Sequence, residues 1–174
     1  VLVLGAGGGM ELKVFFFFQP DWAFDGVDPA AAMLRLAEAT LGPLATRVRL
    51  HEGYIDTAPA GPYDAAACLL TLHYLPAAER LRTLQEVHRR LRPGAPLVVA
   101  HFSFPQGEQE RARWLARYAA FATASGIERE HALAASTGIG DILPILAPEQ
   151  DEALLREAGF ADVSLFYAGF TFRG

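Results

Sequence analysis

The chain opens on Val1-Leu2-Val3-Leu4-Gly5-Ala6-Gly7-Gly8-Gly9, an apolar run that leads directly into a glycine-rich loop. The first four residues predict a strand buried on both faces, which is typical of a parallel sheet. Glycines let the backbone turn tightly and approach a ligand closely. The stretch therefore predicts the first strand of an α/β sheet with a ligand-binding loop at its carboxyl end.

Strands and helices alternate after this loop, and the alternation predicts a mainly parallel sheet. Strands are predicted over residues 1–4, 23–27, 48–51, 64–70, 97–102, 163–167 and 170–172. Helices are predicted over residues 11–18, 29–41, 76–91, 106–124 and 148–158, the last one closed by Gly159. Ligands bind such sheets at the carboxyl ends of the strands.

Residues 105–147 interrupt the alternation and predict a helical cap on the substrate side. Within it, residues 125–148 mix glycine, small residues and short apolar pieces, which we interpret as a lid. We expect one domain over residues 1–174. Because Val1 already belongs to a predicted strand and residues 170–172 are typical of a strand still in progress, we also expect that the protein continues beyond both ends of this sequence.

Composition narrows the class of protein. The 174 residues are 52% hydrophobic and 20% charged, which predicts a globular chain. A net charge of −5 argues against a nucleic-acid partner, and the apolar runs are too short to span a membrane. The single cysteine, Cys68, excludes an internal disulfide and favours the cytoplasm. We interpret Cys68 as a core residue.

The spacing of the glycines bears on the type of ligand. A dinucleotide loop follows G-x-G-x-x-G, but Met10 stands where the third glycine is required. The pattern G-x-G-x-G fits, and no Gly-Lys-Ser or Gly-Lys-Thr marks a phosphate loop. No phosphate-recognition device is needed if the ligand is a nucleoside with an amino-acid tail, and an NAD-dependent oxidoreductase is kept as an alternative.

Two later strand ends add candidate binding residues. Asp28, in Gly26-Val27-Asp28-Pro29, ends the second strand and could accept both ribose hydroxyl protons. Its alternative role is the N-cap of a helix with Pro29 in the first turn. After the third strand, the Tyr54 and Ile55 side chains could cover an adenine face, with backbone N–H groups at its edge, although a plain surface turn also fits.

The order of these motifs resembles the class I S-adenosylmethionine-dependent methyltransferases. The resemblance covers nearly the whole chain and is carried by residues 1–9, 26–34, 63–75, 91–99 and 154–163. It implies a Rossmann-like, mostly parallel seven-stranded sheet with a reversed last strand. It also implies S-adenosylmethionine as the cofactor and methyl transfer as the reaction.

The resemblance further implies a role for each part of the cofactor site. The loop glycines line the methionine portion, Asp28 binds the ribose, and Pro29 and Met33 lie near ribose and adenine. Tyr54 and its neighbours frame the adenine, and Leu69 lies beside the sulfonium. The cofactor-binding residues implied in this way are Gly5, Ala6, Gly7, Gly9, Asp28, Pro29, Met33, Gly53, Tyr54, Ile55 and Leu69.

The stretch 100–104 and the helices after it are also similar to carboxy-S-adenosylmethionine synthases. That branch uses an arginine in the cap to hold the extra carboxylate, whereas the comparable residues 134–139 contain none. The departure favours ordinary methyl transfer to a small-molecule acceptor. A synthase-like enzyme and a non-catalytic cofactor-binding protein stay as alternatives, and a homodimer is left open.

Histidines are the remaining candidates for chemistry. His73 and His101 follow the fourth and end the fifth predicted strand, so either could act as a base toward a hydroxyl acceptor, or be structural. No covalent protein intermediate is required and no catalytic residue is assigned, because the sulfonium is already an activated leaving group. We expect no metal, because the chain has no tight acidic cluster. Arg80 and its neighbouring arginines predict a solvated helix face.

Overall fold

The computed structural model describes all 174 residues and contains seven strands and six α-helices. The strands are β1 (Leu2–Leu4), β2 (Phe24–Asp28), β3 (Val48–Glu52), β4 (Ala66–Leu69), β5 (Leu97–Phe102), β6 (Ala168–Gly169) and β7 (Phe172–Arg173). The helices are α1 (Met10–Phe18), α2 (Ala31–Leu41), α3 (Ala77–Arg90), α4 (Glu108–Ala124), α5 (Arg129–Ile142) and α6 (Pro148–Glu157).

The strands form one sheet in the order β3-β2-β1-β4-β5-β7-β6. β1 runs parallel to β2 and β4, and β2 runs parallel to β3. β7 runs antiparallel to both β5 and β6. The predicted mostly parallel, seven-stranded sheet with a reversed last strand is therefore confirmed.

The chain divides into two compact units. The first unit comprises residues 1–71 and 85–99, and the second unit comprises residues 72–84 and 100–174. The single domain over 1–174 with a cap over 105–147 stays a prediction from the sequence.

The core of the first unit explains the aromatic run in α1. Leu12 and Phe16 lie four residues apart on one helix face and are buried, at 0% and 4% exposure, against Val3 and Phe24. Burial of each such side chain contributes about 1.5–3 kcal/mol. Phe17 is 81% exposed, so only part of the run serves this core.

The second unit is built around an aromatic core. Phe102 stacks on Phe172 with 4.3 Å between ring centroids, and Phe104 is buried beside them. Trp114 and Tyr118 of α4 pack against the same cluster. The aromatic face of α4 therefore packs the interior of this unit.

Helix α5 was not predicted as a helix, and it lies within residues 125–148, which the sequence indicates as a lid or cap. Its buried residues, Ala132, Ser136 and Gly140, recur every four positions. The buried face of the helix therefore consists of small side chains. Ser136 Oγ donates to the carbonyl of Leu115 in α4 at 2.9 Å. Small residues allow this close approach of two helices but give no apolar periodicity in the sequence.

The carboxyl-terminal hairpin also differs from the prediction. Residues 163–167 form no strand, while Ala168 and Gly169, predicted as the turn, form β6. The chain turns at Phe170 and Thr171, and Phe170 has a left-handed φ of 52°. The prediction failed because a glycine was taken as the turn, whereas here a phenylalanine adopts the left-handed conformation.

Helix α2 begins at Ala31, two residues after Pro29, and Ala30 is its N-cap. The predicted N-cap role of Asp28 is therefore wrong. Asp28 is the last residue of β2, and its side chain bonds to the glycine loop and to Ala30, as described below.

Candidate functional site

The glycine loop after β1 is held in a conformation that favours glycine. Gly5, Gly7 and Gly9 have φ values of 76°, 48° and 77°, in the left-handed region. The backbone N–H groups of Gly5 and Ala6 both donate to the carbonyl of Val27, at 2.8 and 3.0 Å. These bonds fix the loop against the end of β2.

Two of these glycines are also required by close packing. A Cβ at Gly5 would overlap the Thr71 side chain, and a Cβ at Gly9 would lie 3.0 Å from both Cα and Cβ of Ala37 in α2. A Cβ at Gly7 would instead meet only Gly5 O and Met33 Cε, each at 3.8 Å. Gly5 and Gly9 therefore serve the fold, while the space above Gly7 is open enough for a ligand.

Asp28 connects the glycine loop to the strand ends around it. Its Oδ2 accepts a hydrogen bond from Gly7 N at 2.9 Å, and its Oδ1 accepts one from Ala30 N at 2.9 Å. Its carbonyl accepts from Gly53 N at 3.1 Å. A carboxylate offers about four lone-pair positions, so Asp28 retains acceptors for ligand hydroxyls.

The residues after β3 divide into a buried one and an exposed one. Ile55 is 1% exposed, and Tyr54 is 62% exposed. Gly53 has a φ of 138°, and its N–H is already used by Asp28. The Tyr54 ring is thus available to cover a planar ligand, while the Ile55 side chain lies in the core.

The end of β4 contributes a residue that the sequence analysis missed. Thr71 Oγ1 donates to the carbonyl of Leu69 at 2.9 Å, and its side chain fills the space beside Gly5. Leu70, between them, has a left-handed φ of 54° and is exposed. A polar residue two positions beyond a buried strand was the available signal.

The structure places His73 and His101 in the second unit, where both are buried. His73 Nδ1 accepts a hydrogen bond from Phe102 N at 3.3 Å. Burial, assisted by the nearby His101 and Arg80, lowers the pKa of His73 to about 4. His73 is therefore a neutral, structural acceptor near pH 7.

His101 belongs to a buried ion cluster formed with Arg80 and Asp151. His101 Nε2 lies 3.2 Å from Asp151 Oδ2, and Arg80 Nη1 donates to Asp151 Oδ1. Arg80 also donates to the carbonyls of Leu75 and Pro144, at 3.2 and 3.1 Å. The predicted solvated role of Arg80 is wrong: it is 1% exposed, because it lies on the inward face of α3.

The charge state of this buried ion cluster is set by its neighbours. Burial favours the protonated form of Asp151, but His101 and the Arg80 guanidinium together hold the pKa of that carboxyl below its usual range. Asp151 is therefore ionised near pH 7 and supplies the counter-charge that Arg80 needs.

The structure brings no group of three or more His, Cys, Asp or Glu side chains together as metal ligands. Cys68 is buried in β4. No helix has both the length and the apolar character needed to cross a membrane.

The part of the chain that contains the glycine loop matches a known protein family. Residues 2–97 match the family model described as a methyltransferase domain. A carboxy-S-adenosyl-L-methionine synthase from Chromohalobacter salexigens is 28% identical over 171 residues. That match covers 95% of this chain, which spans only 62% of the relative's length.

Solved structures share the fold. The S-adenosylmethionine-dependent methyltransferase SibL superposes with a TM-score of 0.71 at 19% identity, covering 99% of this chain and 48% of SibL. The [4+2]-cyclase SpnF superposes with a TM-score of 0.66 at 21% identity, covering 94% of this chain and 52% of SpnF. Since one of these proteins is named a cyclase, the fold alone does not fix the reaction.

Proposed function

Because the chain belongs to the methyltransferase-domain family, we propose that it binds S-adenosylmethionine at the glycine loop and transfers the methyl group to a small-molecule acceptor. The observation that carries the proposal is the double use of Asp28. Its carboxylate accepts from Gly7 N, which fixes the loop, and keeps lone pairs for the ribose hydroxyls.

The residues around Asp28 can each be assigned to a part of this cofactor. The open space above Gly7 suits the methionine portion, with Gly5, Ala6 and Gly9 shaping the loop around it. We assign Met33 and Pro29 to the ribose and adenine. Tyr54 covers the adenine face, with Gly53 and Ile55 holding that turn, and Leu69 lies toward the sulfonium.

When bound, S-adenosylmethionine supplies a methyl group on an activated sulfonium leaving group. The chain's task is then to orient the cofactor and keep water from it. Fixed orientation of two reactants can supply about 7–11 kcal/mol of the barrier. The loop does this with backbone held by glycine φ values and by the bonds to Val27.

Replacement of Asp28 tests the site directly. Asp28→Ala removes the ribose acceptor and the bond that fixes Gly7, so the Kd for S-adenosylhomocysteine should rise about 100-fold, or about 3 kcal/mol. Isothermal titration calorimetry measures this. Asp64→Ala, which removes an exposed carboxylate of the same unit, is the matched control and should leave Kd unchanged.

Two outcomes would count against the proposal. Absence of binding of both S-adenosylmethionine and S-adenosylhomocysteine to the full-length protein would refute it. Unchanged affinity of Asp28→Ala, with the wild-type binding intact, would refute only the ribose assignment.

A second candidate is a carboxy-S-adenosylmethionine synthase-like activity, which the Chromohalobacter salexigens relative favours. Against it, residues 134–139 lie in α5 and contain no arginine for the extra carboxylate. Mass spectrometry of the cofactor that copurifies with the protein separates the two. A carboxylated cofactor would favour this candidate, and unmodified S-adenosylmethionine would favour methyl transfer.

Fewer observations bear on the residues that would face the methyl acceptor than on those that would bind the cofactor. If the acceptor is a hydroxyl, His73 and His101 stay the candidates for its base, but His73 Nδ1 is committed to Phe102 N and both ring nitrogens of His101 are closed off from solvent. A cytoplasmic location and a homodimer remain hypotheses from the sequence.

A further inference from the structure

Two exposed phenylalanines of the second unit pack against each other. The ring centroids of Phe121, on α4, and Phe170, at the turn between β6 and β7, lie 4.4 Å apart, with 30° between the ring planes. The two side chains are 45% and 48% exposed, so each keeps about half of its surface in water. The pair of Phe102 and Phe172 has nearly the same geometry, 4.3 Å and 28°, but lies in the core. The exposed pair therefore presents aromatic surface that the core of this unit does not use.

Phe170 stands where a hairpin turn ordinarily places glycine. Residues 170 and 171 form the two-residue turn between β6 and β7, and Phe170 has a left-handed φ of 52°. A positive φ at the first central position of such a turn favours glycine, because a Cβ is crowded by the backbone there. The conformation is rare for a bulky residue, and strain of this kind is concentrated at active sites and ligand clamps. The position therefore carries an aromatic ring although glycine would relax the turn.

The backbone that carries the two rings is fixed. Thr171 is fully buried, and its carbonyl accepts a hydrogen bond from Ser103 N at 2.9 Å, which ties the turn to the residue after β5. On α4, Tyr118 packs against Phe102 with 5.8 Å between ring centroids. Groups that are already ordered lose less freedom when a ligand covers them. The two rings therefore form a preorganised surface.

The place and the size of this surface favour a small planar molecule as its ligand. Because Ser103 directly follows β5, the turn lies at the carboxyl end of that strand, where α/β sheets bind their ligands. A phenylalanine has about 150–250 Å² of surface, so two half-exposed rings present about 200 Å² together. A stable protein partner would need about 800 Å². One or two aromatic rings stacked on the pair would cover it.

We propose that Phe121 and Phe170 form a stacking surface for a planar aromatic ring of the methyl acceptor. This inference rests on the proposed function, because it takes the second ligand of the protein to be that acceptor. Stacking holds the acceptor by the face of its ring and leaves the ring edge, which carries the group to be methylated, free to react. Both phenylalanines are then specificity-determining residues that select planar over non-planar acceptors.

A matched pair of probes tests the proposal. Phenol is planar and aromatic, whereas cyclohexanol has the same ring size and the same hydroxyl but is saturated and puckered. Saturation-transfer difference NMR measures the Kd of each probe on the full-length protein, with S-adenosylhomocysteine at saturation so that the cofactor site is filled. Phenol should bind at least about fivefold more tightly than cyclohexanol.

Two substitutions each remove one ring. Phe170→Leu and Phe121→Leu keep an apolar side chain but lose the aromatic face, so each should raise the Kd of phenol about fivefold and leave that of cyclohexanol unchanged. Phe166→Leu removes a 65% exposed ring of the same unit, and this matched control should bind phenol as the wild type does. Circular dichroism and an unchanged Kd for S-adenosylhomocysteine verify folding. Since the two positions lie on separate elements, either folded variant decides.

The result distinguishes this inference from the proposed function. If the wild type binds S-adenosylhomocysteine but binds phenol no more tightly than cyclohexanol, the stacking surface is refuted and the cofactor assignment stands. The same follows if the leucine variants bind phenol as the wild type does. If the wild type binds neither S-adenosylmethionine nor S-adenosylhomocysteine, the proposed function fails, and the acceptor role of the two phenylalanines fails with it.

Discussion

The two units of the molecule use opposite means to organise polar groups. In the first unit, the candidate cofactor site is organised by main-chain groups: left-handed glycines, paired N–H bonds to Val27, and one carboxylate, Asp28. In the second unit, the buried ion cluster is made of side chains from α3, β5 and α6. The loop is contiguous in sequence, whereas Arg80, His101 and Asp151 are each separated by at least 21 positions.

The difference has an energetic basis. A glycine loop requires only a backbone conformation that glycine adopts without steric cost. A buried arginine requires a counter-ion, and removing that counter-ion leaves an uncompensated charge in a poorly polarisable interior. We therefore expect that removal of one charge from the buried ion cluster destabilises the second unit.

The largest expected effect is in the second unit. Asp151→Asn keeps the side-chain volume but leaves Arg80, which is 1% exposed, without its counter-charge. The free energy of unfolding should fall by about 3–5 kcal/mol. Urea denaturation at pH 7, followed by circular dichroism, measures the change.

The neighbouring residue supplies the control. Glu152 pairs with Arg156 at 2.8 Å across the exposed surface of the same helix, so Glu152→Gln should cost less than about 0.5 kcal/mol. If the two substitutions lowered the free energy of unfolding equally, the buried ion pair would contribute no more to stability than the exposed one. Because the pKa of Asp151 is lowered, its contribution is present above pH 3.8 and lost as the pH falls through the lowered pKa.

In the first unit, we expect removal of a carboxylate to raise the free energy of unfolding, whereas in the second unit it lowers it. The pKa of Glu11 is raised to about 7, so the stability that its protonated form provides is complete below pH 4.5 and is lost as the pH rises through 7. Glu11→Gln should therefore stabilise the cofactor-free protein at pH 8.5 by up to about 3 kcal/mol and have little effect at pH 4. Thermal denaturation across this range measures the difference, and a pH-independent effect would contradict it.

The smallest effect concerns the backbone of the loop. Gly9 and Gly94 have nearly equal φ values, 77° and 78°, but a Cβ at Gly94 meets nothing within 4 Å. Gly9→Ala adds a 3.0 Å contact with Ala37, so it should cost about 1–2 kcal/mol more than Gly94→Ala. Equal losses of unfolding free energy would mean that α2 moves aside freely and that the loop needs glycine only for its φ.

Several features could be predicted because their signals are local. The bounds of β5 are those predicted, and the glycine loop follows β1 as its composition indicates. Helix α5 was missed because small residues carry its period. The burial of Arg80 was missed because an arginine that faces Asp151 has the same sequence signature as one that faces water.

The sequence by itself determined the parallel sheet, the loop that needs glycine, and the acid at the end of β2, because each depends on neighbouring residues and on backbone sterics. Only the tertiary structure decided what those groups contact. It removed Asp28 from the helix cap and bonded it to Gly7, buried Arg80 against Asp151, and left Glu11 Oε1 without a hydrogen-bond partner. The hydrogen-bond partners of these side chains, and the loss of water around them, depend on residues that are distant in the sequence. Only the packing of the folded chain brings those residues together.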